Sequence, residues 1–267
     1  MNLLKKCRYG LTIYNNIDVW VGKSLEKYGE YSESEVQLFR QVIPQGSVVL
    51  DIGANIGCHA LAFSRIVGPA GIVFAYEPER TNFNSLAGNL ALNNVRNVHA
   101  FQKALSSTSG FISIPELDLE QTTNMGGLSL TVDYSGAPNY TVPLATIDEQ
   151  NFLKCTFIKI DVEGMEKMVL EGGKETIQKL KPILYVEDDR DDLHEPLISY
   201  IKSLGYVVYK HLAPLFNPNN YYKNDHNEFL TPASDGTYRA VVSSNLFCHH
   251  KDVVCPIDVN VFAMTEM

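Results

Sequence analysis

Residues 48–80, VVLDIGANIGCHALAFSRIVGPAGIVFAYEPER, constrain the fold more than any other part of the chain. This segment begins as an uninterrupted apolar run, turns at a glycine-containing loop, continues with helical periodicity and ends in a second apolar run. Apolar runs that do not alternate with polar residues are typical of parallel strands covered by helices on both faces. We therefore predict a strand–helix–strand unit with parallel strands.

The same alternation continues toward the C-terminal part of the chain. The helical patterns ERTNFNSLAGNLALNN and EKMVLEGGKETIQKL alternate with apolar runs such as CTFIKID, ILYVE and YVVYKHL, and YRAVVSSNLFCHH is the last strand pattern. The sequence thus predicts an α/β, Rossmann-like fold with a seven-stranded, mostly parallel sheet and helices on both faces.

Three segments depart from this rhythm. Residues 1–29 contain short alternating runs with a turn at Asn15–Asn16, which predicts a small N-terminal β extension. Residues 105–145 are predicted to form an excursion with two short strands around TTNMGG, and residues 214–232 a loop rich in proline and asparagine. With no linker between two cores, residues 30–267 are predicted to form one domain.

Net charge and cysteine content indicate which partners and which cellular compartment to expect. The formal net charge of −9 argues against nucleic acid as a partner, because binding to phosphates needs a basic surface. Five cysteines at scattered spacings predict a reduced, cytoplasmic protein. No stretch approaches the roughly 18 apolar residues of a membrane span. The oligomeric state stays open.

Acidic residues stand where the predicted strands end. Asp51, Glu77 and Asp161 each close an apolar run. Ligands of open parallel sheets bind beyond these carboxyl ends, and Gly53 and Gly57 allow a tight turn and a close approach to the ligand. Glu77 is placed to accept hydrogen bonds from ribose hydroxyls, so an adenosine-containing cofactor is predicted.

The loop from Gly53 to Gly57 favours one such cofactor over another. Its spacing departs from the G-x-G-x-x-G pattern of dinucleotide sites. The negative charge of Asp51 before the turn would repel a pyrophosphate and attract the ammonium and sulfonium groups of S-adenosylmethionine. We therefore favour S-adenosylmethionine over NAD, while an NAD-linked oxidoreductase stays open as an alternative.

Several motifs, taken together and in order, resemble a known family. DIGANIG, YEP, GNLALNNVRNV, KALS, FIKIDVEGMEKMVLEG and KPILYVE are similar to motifs of the FkbM-type methyltransferases, which are class I S-adenosylmethionine enzymes. The resemblance covers about residues 28–210. It implies the strand order 3-2-1-4-5-7-6 with the last strand antiparallel, and methyl transfer that is mostly to oxygen, often on sugars.

The resemblance also implies which residues contact the cofactor. On the methionine side these are Asp51, Gly53, Ala54, Asn55 and Gly57. Glu77 would bind the ribose beside Pro78, and Ala104 and Asp161 would complete the pocket. Tyr28 and Glu30 would cover it.

Two neighbouring strands of the predicted sheet end in carboxylates. Asp161 and Glu163 follow the fourth strand, and Glu187 and Asp188 follow the fifth. Because adjacent strands are about 4.8 Å apart, these acids are expected to meet. Asp161, Glu187 and Asp188 are the candidate site for Mg²⁺ or Mn²⁺. The candidate catalytic residues are Asp161, Glu163, Glu187 and His194, since carboxylates and histidine can remove a proton.

These observations predict an S-adenosylmethionine-dependent O-methyltransferase that acts on a hydroxyl group of a sugar or glycan. Less specific roles stay open for the same acids, because Asp161 and Glu163 could cap a helix and residues 187–189 could begin a solvated loop. A non-catalytic cofactor-binding module for protein interactions is the remaining alternative.

Overall fold

The computed structural model of the protein describes residues 1–116, 124, 126–127, 138–233 and 235–267. In chain order, its first elements are β1 (Asn2–Cys7), β2 (Gly10–Asn15), α1 (Val21–Tyr28), α2 (Glu33–Val42), β3 (Val48–Ile52), α3 (Cys58–Val67), β4 (Ile72–Tyr76), α4 (Arg80–Leu92), β5 (Val98–Phe101), β6 (Ala104–Leu105) and β7 (Gly110–Pro115). The following elements are β8 (Asn139–Ala145), β9 (Phe157–Ile160), α5 (Glu166–Glu171), α6 (Lys174–Leu180), β10 (Ile183–Glu187), α7 (His194–Ser203), β11 (Tyr206–Pro214), β12 (Leu230–Pro232), β13 (Tyr238–Ala240), β14 (Val242–His250) and β15 (Thr265–Glu266).

The central sheet is mixed and has eight strands in the order β5-β4-β3-β9-β10-β14-β11-β15. The strands from β5 to β10 are parallel, whereas β14 is antiparallel to both of its neighbours. The predicted α/β architecture is confirmed, but the predicted count of seven strands is wrong. Strand β15 pairs with β11 at the sheet edge, and a strand of two residues leaves no periodic pattern in a sequence.

Helices bury the sheet on both faces. Helices α2, α3 and α4 cover one face, where Val49 and Phe157 belong to the core, and α5, α6 and α7 cover the other, where Leu50 and Ile158 belong to it. Val49 and Leu50 are adjacent in β3 and both are fully buried, which explains the uninterrupted apolar runs. Within the described ranges, no helix has the length and apolar character that crossing a membrane requires.

The N-terminal segment is a hairpin followed by a helix. Strands β1 and β2 pair with each other, and α1 follows them. The prediction of a turn at Asn15–Asn16 between two strands is therefore wrong. Asp18 Oδ1 accepts hydrogen bonds from the backbone N–H groups of Trp20 and Gly22 at 2.9 and 3.0 Å. These bonds satisfy backbone donors at the start of α1 and favour a helix there.

A second small sheet occupies the predicted excursion. Strand β8 lies between β6 and β7, parallel to β6 and antiparallel to β7. The predicted strand SLTVDY, residues 129–134, lies outside the described residues. In the predicted loop 214–232, the last three residues form β12, which pairs with β13.

Candidate functional site

The carboxyl ends of β3, β4, β9 and β10 lie side by side, and two adjoining cavities open there. The wall of the inner pocket includes Ile52, Tyr76, Pro78, Ala104 and Met165. The wall of the larger, more open outer cavity includes Trp20, Tyr31, Glu187, Lys210 and Val241. Both walls include Gly53, Glu77, Asp161 and Glu163.

The loop after β3 brings its backbone against the end of β9. Gly53 has a φ of +80°, and a Cβ at this position would lie 1.7 Å from the carbonyl oxygen of Asp161. The N–H groups of Gly53 and Ala54 both donate to the Tyr76 carbonyl at 3.0 Å. Gly57, with a φ of +88°, ends the loop at the start of α3. Only glycine fits at position 53, because any side chain would collide with backbone.

Glu77 connects this loop to the end of β4. Its Oε2 accepts a hydrogen bond from the N–H of Asn55 at 2.8 Å, and its Oε1 accepts one from the N–H of Glu79 at 2.9 Å. The residue is buried, and this burial raises the pKa of its carboxyl to about 8. Glu77 is thus a fixed acceptor in the walls of both cavities, where it was predicted to lie.

Asp51 is fully buried beneath the same loop. Among the described residues, it is in neither cavity wall and its carboxylate oxygens have no hydrogen-bond partner. Burial raises its pKa, and the positive charge of Lys159, its neighbour across the strands, opposes this. Asp51 therefore does not bring its negative charge to the ligand as predicted, and the acidic residues common to both cavity walls are Glu77, Asp161 and Glu163.

Three carboxylates form a cluster at the junction of the two cavities. Asp161, Glu163 and Glu187 each place one oxygen within 4.8 Å of the others. Glu163 has a φ of +54°, a conformation that costs on the order of 1–3 kcal/mol for a residue other than glycine. Glu166 stabilises this turn, since its Oε1 accepts the N–H of Gly164 at 3.0 Å. The hydrogen bond to Glu166 thus helps to hold the backbone conformation at Glu163.

The members of the cluster titrate differently. Burial, together with the negative charges of Asp161 and Asp189, raises the pKa of Glu163 to about 7. Burial also raises the pKa of Glu187 well above its usual range, and Asp161 adds to the effect. Burial alone would raise the pKa of Asp161 as well, but Lys159, whose Nζ lies 2.8 Å from Asp161 Oδ2, holds it below its usual value. Asp161 is therefore the ionised member, and Glu163 titrates near neutral pH.

The predicted metal set differs from the cluster that the structure brings together. Asp188 does not join it, because its two carboxylate oxygens lie 2.9 and 2.7 Å from His194 Nδ1. Lys210 Nζ lies 3.9 Å from the same carboxylate. Successive side chains of an extended chain point to opposite sides, so Glu187 reaches the cluster and Asp188 does not. Glu163 takes the place predicted for Asp188.

Tyr28 and Glu30 do not cover the inner pocket as predicted. The Tyr28 hydroxyl donates to the carbonyl of His226 at 3.1 Å, and Glu30 Oε1 accepts from Asn217 Nδ2 at 2.8 Å. Both side chains are buried and connect the N-terminal segment to residues 214–232. Tyr31 lines the outer cavity instead.

Several residues of the site were missed by the sequence analysis. Lys159 is a lysine within the otherwise apolar run FIKI, and this was a readable signal of a buried ion pair. Lys103 lines the inner pocket, and Tyr31 and Lys210 line the outer cavity. Lys103 begins the KALS motif beside Ala104 and was readable as well. Tyr31 and Lys210 reach the site through tertiary structure.

Comparisons with known proteins show the family and agree with the fold. Residues 51–208 match the family model described as the methyltransferase FkbM domain. The methyltransferase FkbM from Methylobacillus flagellatus KT shares 18% identity at a TM-score of 0.50, over 76% of this chain and 44% of that one. This chain thus spans less than half of that protein's length. The likeness to it shows the fold.

Two further solved structures are more distant. The precorrin-6y C5,15-methyltransferase from Geobacter metallireducens GS-15 has 12% identity and a TM-score of 0.49, over 80% of this chain and 84% of that one. The SAM-dependent O-methyltransferase from Thermotoga maritima has 14% identity and a TM-score of 0.47, over 85% of this chain and 66% of that one. No curated protein sequence matches the chain.

Proposed function

Because the chain belongs to the FkbM methyltransferase family, we propose that it is an S-adenosylmethionine-dependent O-methyltransferase that acts on a hydroxyl group of a sugar or glycan. Membership of a methyltransferase family argues against the NAD-linked oxidoreductase that the sequence left open. The observation that carries the proposal is the position of Glu163 between the two cavities, with a pKa of about 7.

The inner pocket fits the adenosine part of the methyl donor. Each carboxylate oxygen of Glu77 already accepts one backbone N–H and keeps a further lone pair, so the carboxylate could also accept from two ribose hydroxyls. Pro78, Ala104 and Met165 offer apolar walls for a base. Gly53 contributes bare backbone to the walls of both cavities, and its missing Cβ makes room for the Asp161 carbonyl.

Glu163 is suited to remove the proton of the acceptor. A carboxylate with an ordinary pKa of about 4 is a poor base for a hydroxyl group, whereas one with a pKa near the working pH is well matched. S-adenosylmethionine supplies the methyl group, whose carbon–sulfur bond breaks as the acceptor oxygen bonds to the carbon. The hydroxyl proton passes to Glu163, whose ionised form the reaction therefore requires.

The same cluster supports a second proposal, a site for Mg²⁺ or Mn²⁺. All three donors are carboxylate oxygens, the ligands that these ions prefer, and among the described residues Glu187 Oε2 is buried without a hydrogen-bond partner. A bound divalent cation would acidify the acceptor hydroxyl. Asp161, Glu163 and Glu187 would then be ligands, and Glu163 would not be the base.

Transfer of a labelled methyl group tests the function. Wild-type protein should transfer tritium from methyl-labelled S-adenosylmethionine to neutral monosaccharides or short glycans. Glu163→Gln should lower kcat about 10²–10⁴-fold, since it removes the base and keeps the shape. S-adenosylhomocysteine should still raise its melting temperature. Glu171→Gln, at the partly exposed end of α5, is the matched control. An unchanged kcat in Glu163→Gln, or no transfer to any carbohydrate, would overturn the proposal.

Chelation of divalent cations distinguishes the proposal of Glu163 as the base from the proposal of a metal site. Full turnover in EDTA would support Glu163 as the base and exclude the cation. Loss of turnover in EDTA and its return with Mg²⁺ or Mn²⁺ would support the metal site.

A further inference from the structure

The wall of the outer cavity is formed by residues inside the family match and by residues outside it. Its acids from Asp161 to Asp191 lie within residues 51–208, which match the family. Trp20, Tyr31, Leu215 and Val241 lie outside that range. One side of the cavity is thus built from the N-terminal segment and from the region around residues 214–232, which the family match does not include.

Trp20 is held in a fixed orientation on that side. Its ring stacks on the ring of Phe229, with 6.1 Å between centroids and 22° between planes. Phe229 is buried, and Lys23 Nζ lies 5.4 Å from its centroid. The backbone N–H of Trp20 donates to Asp18 Oδ1. Trp20 itself is only half-buried and lines the cavity, so it offers a preorganised aromatic surface.

Hydrogen bonds connect the two parts that support Trp20. The N–H of Glu228 donates to the Tyr28 hydroxyl at 2.7 Å, and the N–H of Tyr222 donates to the Tyr28 carbonyl at 3.1 Å. Arg8 donates from its guanidinium to the Asn219 carbonyl at 2.8 Å. The N-terminal segment and residues 214–232 therefore form one continuous support for the wall.

The rest of the cavity wall is rich in hydrogen-bond acceptors. Seven acidic residues line it: Glu77, Asp161, Glu163, Glu187, Asp188, Asp189 and Asp191. Among the described residues of this wall, Lys210 is the single lysine or arginine. Carboxylates accept hydrogen bonds from hydroxyl groups and repel phosphate and carboxylate groups.

We propose that Trp20 is the stacking platform for an uncharged pyranose ring of the acceptor. The apolar C–H face of such a ring would lie on the indole, and its hydroxyls would donate to the carboxylates of the wall. Sugars that carry a phosphate or a carboxylate would meet the negative charge of Asp161 and of Glu163 in its ionised form, and would bind more weakly. This inference rests on the proposed function and goes further by naming the acceptor class and a specificity residue outside the family match.

Trp20 is the single tryptophan of the chain, so its fluorescence reports on the cavity directly. With S-adenosylhomocysteine bound, a neutral pyranoside that accepts methyl in the labelling assay should change the emission saturably. The matching sugar phosphate and uronate, at equal concentration, should not. An unchanged emission at saturating neutral sugar, or equal turnover of the anionic sugars, would overturn the inference.

Variants of Trp20 separate this inference from the proposed function. Trp20→Leu should raise the acceptor KM about tenfold with kcat and S-adenosylhomocysteine binding retained, while Trp20→Phe should stay close to wild type. Phe111→Leu, an exposed aromatic on β7, is the matched control. An unchanged acceptor KM in Trp20→Leu would overturn the platform and leave methyl transfer standing. Absence of transfer to every sugar by wild type would overturn both proposals.

Discussion

The inner pocket and the outer cavity share one junction but are built in different ways. The inner pocket is formed at strand ends and tight turns, and its residues Gly53, Glu77 and Ala104 lie within the family match. The outer cavity takes one wall from residues beyond that match, including Trp20 and Leu215. Under the proposed function, the donor would bind within the part of the chain that matches the family, and acceptor selection would depend on segments outside it.

The largest effect is expected on the donor side, at Gly53. Gly53→Ala should lower the free energy of unfolding by about 3 kcal/mol or more, because a Cβ would meet the Asp161 carbonyl oxygen and the φ of +80° would be strained. The melting-temperature shift caused by S-adenosylhomocysteine should be lost with it. Denaturant unfolding and thermal melting with ligand measure both effects.

Gly46 provides the matched control. It has a φ of +79°, and no atom lies within 4 Å of the position that its Cβ would take. Gly46→Ala should therefore cost only the backbone strain, about 1 kcal/mol. Equal losses in the two variants would show that the close approach to β9 has no part in the effect.

This contrast also explains what the sequence could predict. The strand–turn–helix signal around Gly53 and the acid at Glu77 are local, and the structure places both at the predicted strand ends. Membership of the acid cluster depends on the backbone conformation of Glu163, which no local pattern reveals. The alternation of side chains along an extended chain, in contrast, could have separated Glu187 from Asp188. Trp20 reaches the cavity only through tertiary contacts with Phe229.

Protonation of Glu77 is expected to have an effect of intermediate size, on the affinity for S-adenosylhomocysteine. Its pKa of about 8 in the free protein means that the carboxyl is protonated at lower pH, whereas two ribose hydroxyls are best accepted by the ionised form. Affinity for S-adenosylhomocysteine should thus rise with pH up to about 8 and then level off, by at most about tenfold per pH unit. Titration calorimetry between pH 6.5 and 8.5 measures this. Constant affinity over that range would contradict the ribose role of Glu77.

The smallest effect is expected at His194, which lines neither cavity and contacts Asp188 of the outer wall. His194→Ala removes a hydrogen bond from the buried Asp188 carboxylate and should lower the free energy of unfolding by about 1 kcal/mol, with donor affinity unchanged. His226→Ala, at an exposed position, should change stability by less than about 0.5 kcal/mol. Weaker binding of S-adenosylhomocysteine in His194→Ala would show that the two sides are coupled.

Calorimetric titration of S-adenosylhomocysteine into wild type, Glu77→Ala and Trp20→Leu tests the division between donor and acceptor sides most directly. We expect at least about tenfold weaker binding in Glu77→Ala, which loses the proposed ribose acceptor, and wild-type affinity in Trp20→Leu. Wild-type affinity in Glu77→Ala, or a comparable loss in Trp20→Leu, would contradict this division.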